Sequence, residues 1–597
     1  MSLPTVLFLG PAALCLLAWL GAGSLVPARL LPDDTLLRTL TRIAAGSVAF
    51  SVGLLALGRI GLFDRGVVVG LTAVLAVPGA LEARRLARRP RLRDQDPLVR
   101  ALLLVLAAAL LLDVVAATSP PTSADALRYH LALPHHWLQL GRIDDPFWNW
   151  EGLQPFGLEM LFGQGLAIAG GPAAGAVGAL FALLTGLAAF GLARELGSGG
   201  LLAGALGASL TVLQGVVTWE ATGNFVELGL TFFVLLAAWL VVRYARTRAG
   251  IDAVWAGLAA GAAAGVKYHG LLAAGLAFAG LALVRARPRH LARAAALALA
   301  AGGAWYLKSA IVTGNPIYPL AFGGKWWTAT AQHGVTDIRL GYGFPHASVV
   351  RLLILPYDLL VHGPRFDGGR YVGTAIFVLA PLAWFARRRR PALLVLAAAV
   401  VYAVAWWETS QQVRFLVPGL AVAAAAGGAG AAGVVTRYPR TRRALLALLT
   451  AAVGVWGVSS IALTRQLIPV AFGAESRGHF LQRLTGTYDT YREVHARVPG
   501  ELGLVGYPYA FNYPGRAIGL ESPAFTETVS RADYVRRLRA YGVTDVLVSD
   551  DDYGRTLSKP IAGCAERLAT YHARYVTSRA RGTSRPLTLV LLSTRRC

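Results

Sequence analysis

The chain has 597 residues, 55% of them hydrophobic and only 15% charged, with a mean hydropathy of +0.53. So much apolar material excludes a soluble globular protein and fits a polytopic membrane protein. A net charge of +25 does not mark a nucleic-acid binder here. The basic residues are dispersed over short loops beside apolar runs, where they anchor topology against anionic lipid.

In chain order, apolar runs predict spans at 5–23, 38–60, 66–81, 98–117, 173–193, 200–217, 225–243, 252–266, 270–284, 291–312, 371–386, 391–407, 415–435 and 443–463. The expected class is therefore a polytopic α-helical membrane protein with about 12–14 transmembrane helices. The first run has no basic n-region and reads as a retained helix. Arginine clusters orient the whole. Arg84, Arg85, Arg88, Arg89, Arg91 and Arg93 follow span three; Arg243, Arg246 and Arg248 follow span seven; Arg285, Arg287 and Arg289 follow span nine. Arg387 to Arg390 follow span eleven, and Arg437, Arg440, Arg442 and Arg443 follow span thirteen. Every cluster follows an odd-numbered span, so all share one side, which the positive-inside rule makes cytoplasmic. The N-terminus, the loops 118–172, 218–224, 267–269, 313–370 and 408–414, and the tail after 464 then lie outside. None of the four lysines (Lys267, Lys308, Lys325 and Lys559) is cytoplasmic.

The tail, 465–597, reads as a small soluble α/β domain. Leu502–Val505, Val546–Val548 and Leu587–Leu592 are expected strands, with helices at Arg531–Tyr541 and Ile561–Tyr571. Cys564 and Cys597 allow a disulfide if the tail is exported, or remain two free thiols. Asp550-Asp551-Asp552 reads as a solvated turn rather than a metal site.

Unusual polar residues collect in the outer segments. Asp125 lies just beyond the run ending at Ala117 and opens the amphipathic stretch Ala126–Leu140. It reads as a general base, a divalent-ion ligand or a helix N-cap. Tyr129 shares its helical face and His130 lies beside it. Glu227 falls inside span seven near its outer end, where a carboxylate is costly and marks function; Glu220 is expected to be more exposed. Lys267-Tyr268-His269-Gly270 breaks an apolar stretch at the outer face and suits a phosphate at headgroup depth. Gly314–Pro319, with Tyr318, begins a long outer loop containing Trp326 and Trp327. Arg414 sits where span thirteen starts and offers bidentate contacts to a lipid-linked phosphate.

Asp125-Ala-Leu-Arg-Tyr-His-Leu-Ala-Leu-Pro134, the acidic entrance of span seven, Lys267–Gly270, Gly314–Pro319 and Arg414-Phe-Leu-Val-Pro418 together resemble the GT-C superfamily of integral membrane glycosyltransferases. The likeness is to bacterial relatives of protein O-mannosyltransferases and aminoarabinose transferases, and it spans roughly residues 98–464. It implies a catalytic membrane module at 98–464 and an exported α/β domain at 465–597, while the three additional spans in 1–97, which precede the one resembling the family's first helix, depart from it. It also implies transfer of a sugar from a polyprenyl-phosphate donor to a lipid, glycan or protein acceptor outside the cytoplasmic membrane. Asp125 and Glu227 take the catalytic roles. Lys267, His269 and Arg414 take the donor phosphate, and Tyr129, His130, Glu220 and Tyr318 take the acceptor. The family's Asp-x-Asp pair is missing from the first loop, where Asp144 and Asp145 are adjacent, so a metal-independent mechanism with no cofactor is expected. A lipid or glycolipid flippase is the rival reading, and it calls for repeat symmetry and carboxylates at the bilayer midplane. Low Lys and Met beside abundant Ala, Arg and Gly suggest a GC-rich bacterial genome.

Overall fold

The computed structural model describes residues 4–86, 95–146, 148–367, 372–507, 509–520, 530–578 and 583–597. Arg88, Arg89, Arg91 and Arg93 lie outside them. Among the described residues, ten helices are long and apolar enough to cross a membrane: Thr5–Ser24, Thr35–Arg59, Arg65–Leu86, Pro97–Ala117, Gly171–Leu196, Glu227–Thr247, Pro288–Thr313, Arg389–Thr409, Val413–Arg437 and Pro439–Thr464. The chain is a multi-pass membrane protein. The run expected as one span at 200–217 is bent by 65° between Leu201–Val212 and Gly215–Gly223, and counted as one broken span it makes an eleventh. Gln214 makes the bend. Its backbone is extended, and its side-chain oxygen takes the Gly373 N–H at 2.9 Å, which holds the break in place.

Spans expected at 252–266, 270–284 and 371–386 are the shorter apolar helices Gly250–Val266, His269–Leu283 and Thr374–Phe385. A further one, Gly157–Ala169, lies within the segment expected to be an outer loop and is buried along nearly its whole length. Small residues bring several helices into backbone contact, as membrane packing favours. A Cβ on Gly257 would sit 2.1 Å from the Ala294 carbonyl oxygen, and one on Gly261 would sit 2.1 Å from that of Ala298.

Two charge layers mark the ends of the bundle. At one end Arg194 meets Asp34 at 2.5 Å and Arg246 meets Glu195 at 3.0 Å. Arg243 pairs with Asp33 and, at 3.2 Å, with Asp252, and Arg388 also reaches Glu195. Arg442 meets Asp96 at 2.6 Å where two further helices begin. Glu227 and Arg243 share one helix, and their 16-residue separation at 1.5 Å per residue puts the layers about 24 Å apart. At the opposite end lie Asp125, Glu227, Lys267 and Arg414. The relative sides are those the arginine count requires.

The tail folds as a five-stranded sheet in the order β2-β1-β3-β5-β4, with β1 at Leu502–Val505, β2 at Ala517–Gly519, β3 at Asp545–Ser549, β4 at Glu566–Ser578 and β5 at Thr583–Ser593. β1 runs parallel to β2 and β3, and β5 runs antiparallel to β3 and β4. The helix Arg531–Ala540 is as expected, but the helix expected at Ile561–Tyr571 is not. From Glu566 the chain is strand β4, because half-buried Tyr571, Ala573 and Tyr575 alternate with exposed His572 and Arg574, a period of two. Cys564 and Cys597 form a disulfide. Asp551 caps the helix Asp552–Ser558 by accepting the Gly554 N–H at 2.8 Å, while Asp550 and Asp552 pair with Arg555, so the acidic run is a cap and turn. Tyr541 packs its ring 6.3 Å from His136 and 6.2 Å from Trp148, seating the tail on the loop that carries Asp125.

Candidate active site

The Asp125 segment begins as a single π-helical turn, Ala126–His130, and continues as the helix Ala132–Leu140. Asp125 makes no capping bond at this turn, so the N-cap reading fails. Ser123 instead donates to the Gly223 carbonyl and moors the segment to the bent helix pair. The Asp125 carboxylate accepts from Arg414 Nη1 at 2.7 Å. Arg414 opens the helix Val413–Arg437, and its guanidinium is held in plane by neighbours. Nε and Nη2 donate to Gln412 Oε1 at 3.2 and 2.8 Å, and Nε lies 3.4 Å from Asp367. The planar fork meets two carboxylates at once, an arrangement lysine cannot reproduce.

A second pair lies alongside. Lys267, at the end of Gly250–Val266, donates to Glu227 Oε1 at 2.6 Å, and Glu227 Oε2 takes the Val226 N–H at 3.1 Å. The ammonium stands 3.8 Å above the Phe415 ring, and the His269 ring stacks 4.7 Å from the same phenyl group. The Arg414 guanidinium lies 5.0 Å from both Phe225 and Phe415, so aromatic rings screen both pairs from water. Lys267 is no snorkelling lysine. Its four-carbon stem delivers the charge inward to a carboxylate that is 1% exposed.

Glu220 corrects the expectation of exposure. It is 2% exposed, lies against Glu227, and neither of its oxygens meets a hydrogen-bond donor among the described residues. The bend at Gln214 turns the short helix Gly215–Gly223 inward and carries Glu220 with it. His130 is buried and bonds Glu159 Oε1 at 2.8 Å through Nδ1, with the Tyr129 ring 4.2 Å away. Tyr318 is 1% exposed, and its carbonyl accepts from the Tyr268 hydroxyl at 2.5 Å. Its ring contacts Trp327, which in turn meets Trp150 at 5.4 Å. Asp125, Arg414, Lys267, Glu227 and Glu220 are thus brought together. Tyr318 belongs to an aromatic wall beyond them. Sequence reasoning passed over Asp367 and Glu159. Asp367 has a φ of +86°, a conformation uncommon for a residue other than glycine.

The electrostatics follow from burial and charge. Burial alone would raise the Asp125 carboxyl, but Arg414, His130 and Arg128 outweigh it and hold it down to about 2. Burial and the neighbouring Asp125 charge push the Tyr129 phenol well above its usual range. Among the described residues, no three His, Cys, Asp or Glu side chains are grouped to hold a metal ion.

A multi-pass bundle with half-buried carboxylate–cation pairs at one lip and a small α/β tail has the architecture of the GT-C membrane glycosyltransferases. The crystal structure of ArnT from Cupriavidus metallidurans bound to undecaprenyl phosphate superposes with a TM-score of 0.50 at 16% identity, covering 82% of this chain and 97% of that one. Its apo form gives the same score at 15% identity. The oligosaccharyltransferase of Archaeoglobus fulgidus is matched at a TM-score of 0.43 and 14% identity, over 80% of this chain and 74% of that one. No protein-family model and no curated protein sequence matches the chain. The fold is GT-C.

Proposed function

We propose that the protein transfers a sugar from a polyprenyl-phosphate carrier to an acceptor hydroxyl or amine on the outer side of the cytoplasmic membrane. One observation carries the reading: two half-buried acid–base pairs, Asp125–Arg414 and Glu227–Lys267, stand side by side at one lip of the helix bundle. Glycosyl transfer from such a carrier breaks the bond between the anomeric carbon and the phosphate oxygen. It forms a bond from that carbon to the acceptor atom, and the lipid phosphate leaves with the electron pair. The acceptor proton needs a base, and the phosphate needs cations already in place.

Arg414 and Lys267 supply the cations. As Arg414 turns to the donor phosphate, Asp125 loses its main counter-charge and becomes the base. Glu227 holds Lys267 in position, and Glu220, still in want of donors, takes hydroxyl groups of the substrate. The fold shared with ArnT, whose crystal structure holds undecaprenyl phosphate, supports a polyprenyl phosphate donor. Clustered arginines at the far end of the bundle and the Cys564–Cys597 disulfide both favour an outward-facing site.

Reconstitution into vesicles with a labelled polyprenyl-phosphate sugar tests the reading. A covalently glycosylated acceptor and released lipid phosphate are expected. Labelled lipid that crosses sealed vesicles with no covalent product would replace the transferase by a flippase.

A further inference from the structure

The outer loop between Pro288–Thr313 and Thr374–Phe385 contains a helical segment the mechanism does not use. Val349–Ile354 is a 3-10 helix that runs directly into the α-helix Leu355–Val361. Its inner face is closed. Leu355 and Leu359 are buried, and Asp358 is fully buried under Arg351 (2.9 Å) and His362 (3.0 Å). Its other face is apolar and open: Val350 is 65% exposed, Leu353 81%, Ile354 48%, Tyr357 56% and Val361 55%. Val350 and Leu353, three residues apart, eclipse in the 3-10 turns, and Tyr357 and Val361, four apart, are neighbours in the α-helix, so exposed apolar side chains recur along the whole segment. A loop standing free in water would not present such a stripe.

We propose that this stripe lies in the outer leaflet of the phospholipid bilayer, with the helix parallel to the membrane plane. Three observations choose lipid over a protein partner. The segment is pinned at the lip on both sides, because Phe344 N–H donates to Gln411 Oε1 at 2.7 Å and the Phe366 carbonyl accepts from Val413 N–H at 3.2 Å. Gln411 and Val413 flank the start of a membrane helix, so the stripe cannot stand far from the interface. Exposed apolar side chains also occur elsewhere at the same end, with Leu307 61% and Ile311 72% exposed on the spanning helix, and Leu320 62% and Phe322 88% just beyond it. Finally, the segment itself carries Arg351, whose side chain stays 32% exposed while it meets Asp358, as befits a helix at the headgroup boundary.

The segment reaches the site as well as the membrane. The turn after it carries Asp367 to within 3.4 Å of Arg414. A leaflet-bound helix therefore holds one partner of the proposed phosphate-binding arginine at headgroup depth.

Site-directed spin labelling tests this without reference to catalysis. In a Cys15→Ala background, nitroxides are placed by Leu353→Cys, Tyr357→Cys and Val361→Cys, with Ile311→Cys as a lipid control and Arg536→Cys as a water control. The protein is reconstituted in phosphatidylethanolamine and phosphatidylglycerol vesicles. Labels on the stripe are expected to collide with oxygen in preference to a water-soluble nickel chelate, as Ile311→Cys does, at roughly 5–10 Å depth. Nickel accessibility matching Arg536→Cys would overturn the proposal, and so would protection from both reagents, which would mean a protein cover. Three labelled positions keep the test decisive if one label disturbs folding.

Discussion

On the proposed mechanism Asp125 must be a poor base while paired with Arg414 and a competent one once the donor phosphate is bound, and this swap is measurable. In the structure its carboxyl falls from the ordinary 3.8 to about 2, which corresponds to about 2 kcal/mol in favour of the charged form. A depressed folded pKa contributes stability that is present above the unfolded value and lost as pH falls through about 2. Between about pH 5 and pH 8 the pair therefore adds a constant amount to stability, and free-enzyme ionisation of Asp125 does not limit rate. When the phosphate draws Arg414 away, most of that depression disappears and the carboxyl returns toward its ordinary range. The pH dependence of kcat then shows an acid limb from Asp125 that kcat/KM lacks, because kcat reports the bound complex and kcat/KM the free enzyme. The assay is transfer of labelled sugar from the lipid-linked donor in vesicles, at saturating and limiting donor. Asp125→Asn is expected to cost about 10²- to 10⁴-fold in kcat. It should fold normally, since Arg414 keeps Asp367 and Gln412. Full activity in Asp125→Asn, or acid limbs that coincide in the two profiles, would refute the exchange.

Three further outcomes are expected. Lys267→Met strands Glu227 at 1% exposure and should destabilise the bundle by about 3 kcal/mol, while adding Glu227→Gln recovers most of the loss in a double-mutant thermal-stability cycle; equal losses in both variants would deny the pair. Cys564→Ser with Cys597→Ser opens a loop spanning 33 positions and should cost the tail roughly 3–4 kcal/mol in denaturant unfolding. Tyr541→Ala removes the ring packed on His136 and Trp148 and should raise the rate at which limited proteolysis separates the tail from the membrane module by several-fold.

The membrane architecture was legible because one physical requirement dominates it. A span needs about 20 apolar residues, and arginines resist translocation, so runs and clusters gave both elements and relative sides. Gly157–Ala169 escaped because 13 residues flanked by tryptophans and prolines look like loop. The bend at Gln214 escaped because an apolar run does not reveal where its backbone breaks, and missing that bend left Glu220 misplaced at the surface. In the tail, Glu566–Ser578 carries helix-forming Glu, Arg, Leu and Ala at its start. Pairing with β5 along most of its length overrides that propensity. The candidate site was legible as a list of residues but not as pairs. Asp125 and Arg414 are 289 positions apart, and no local pattern joins them. Nor did anything in the sequence show that the proposed base and the proposed phosphate ligand hold each other.

The ion pairs at the arginine end have a mechanical consequence. Asp33, Asp34, Arg194, Glu195, Arg243, Arg246, Asp252 and Arg388 stitch together the ends of helices from the first half of the chain and the second. A bundle sewn at one end can part only at the other. The stitched layer is the pivot and the spanning helices are the levers. With an arm of about 24 Å, a splay of about 10° at the sewn end parts the lip by about 4 Å, close to the width of an acyl chain. On the proposed function, such an opening would let the lipid carrier enter sideways from the leaflet, with no need to pass over the top through water.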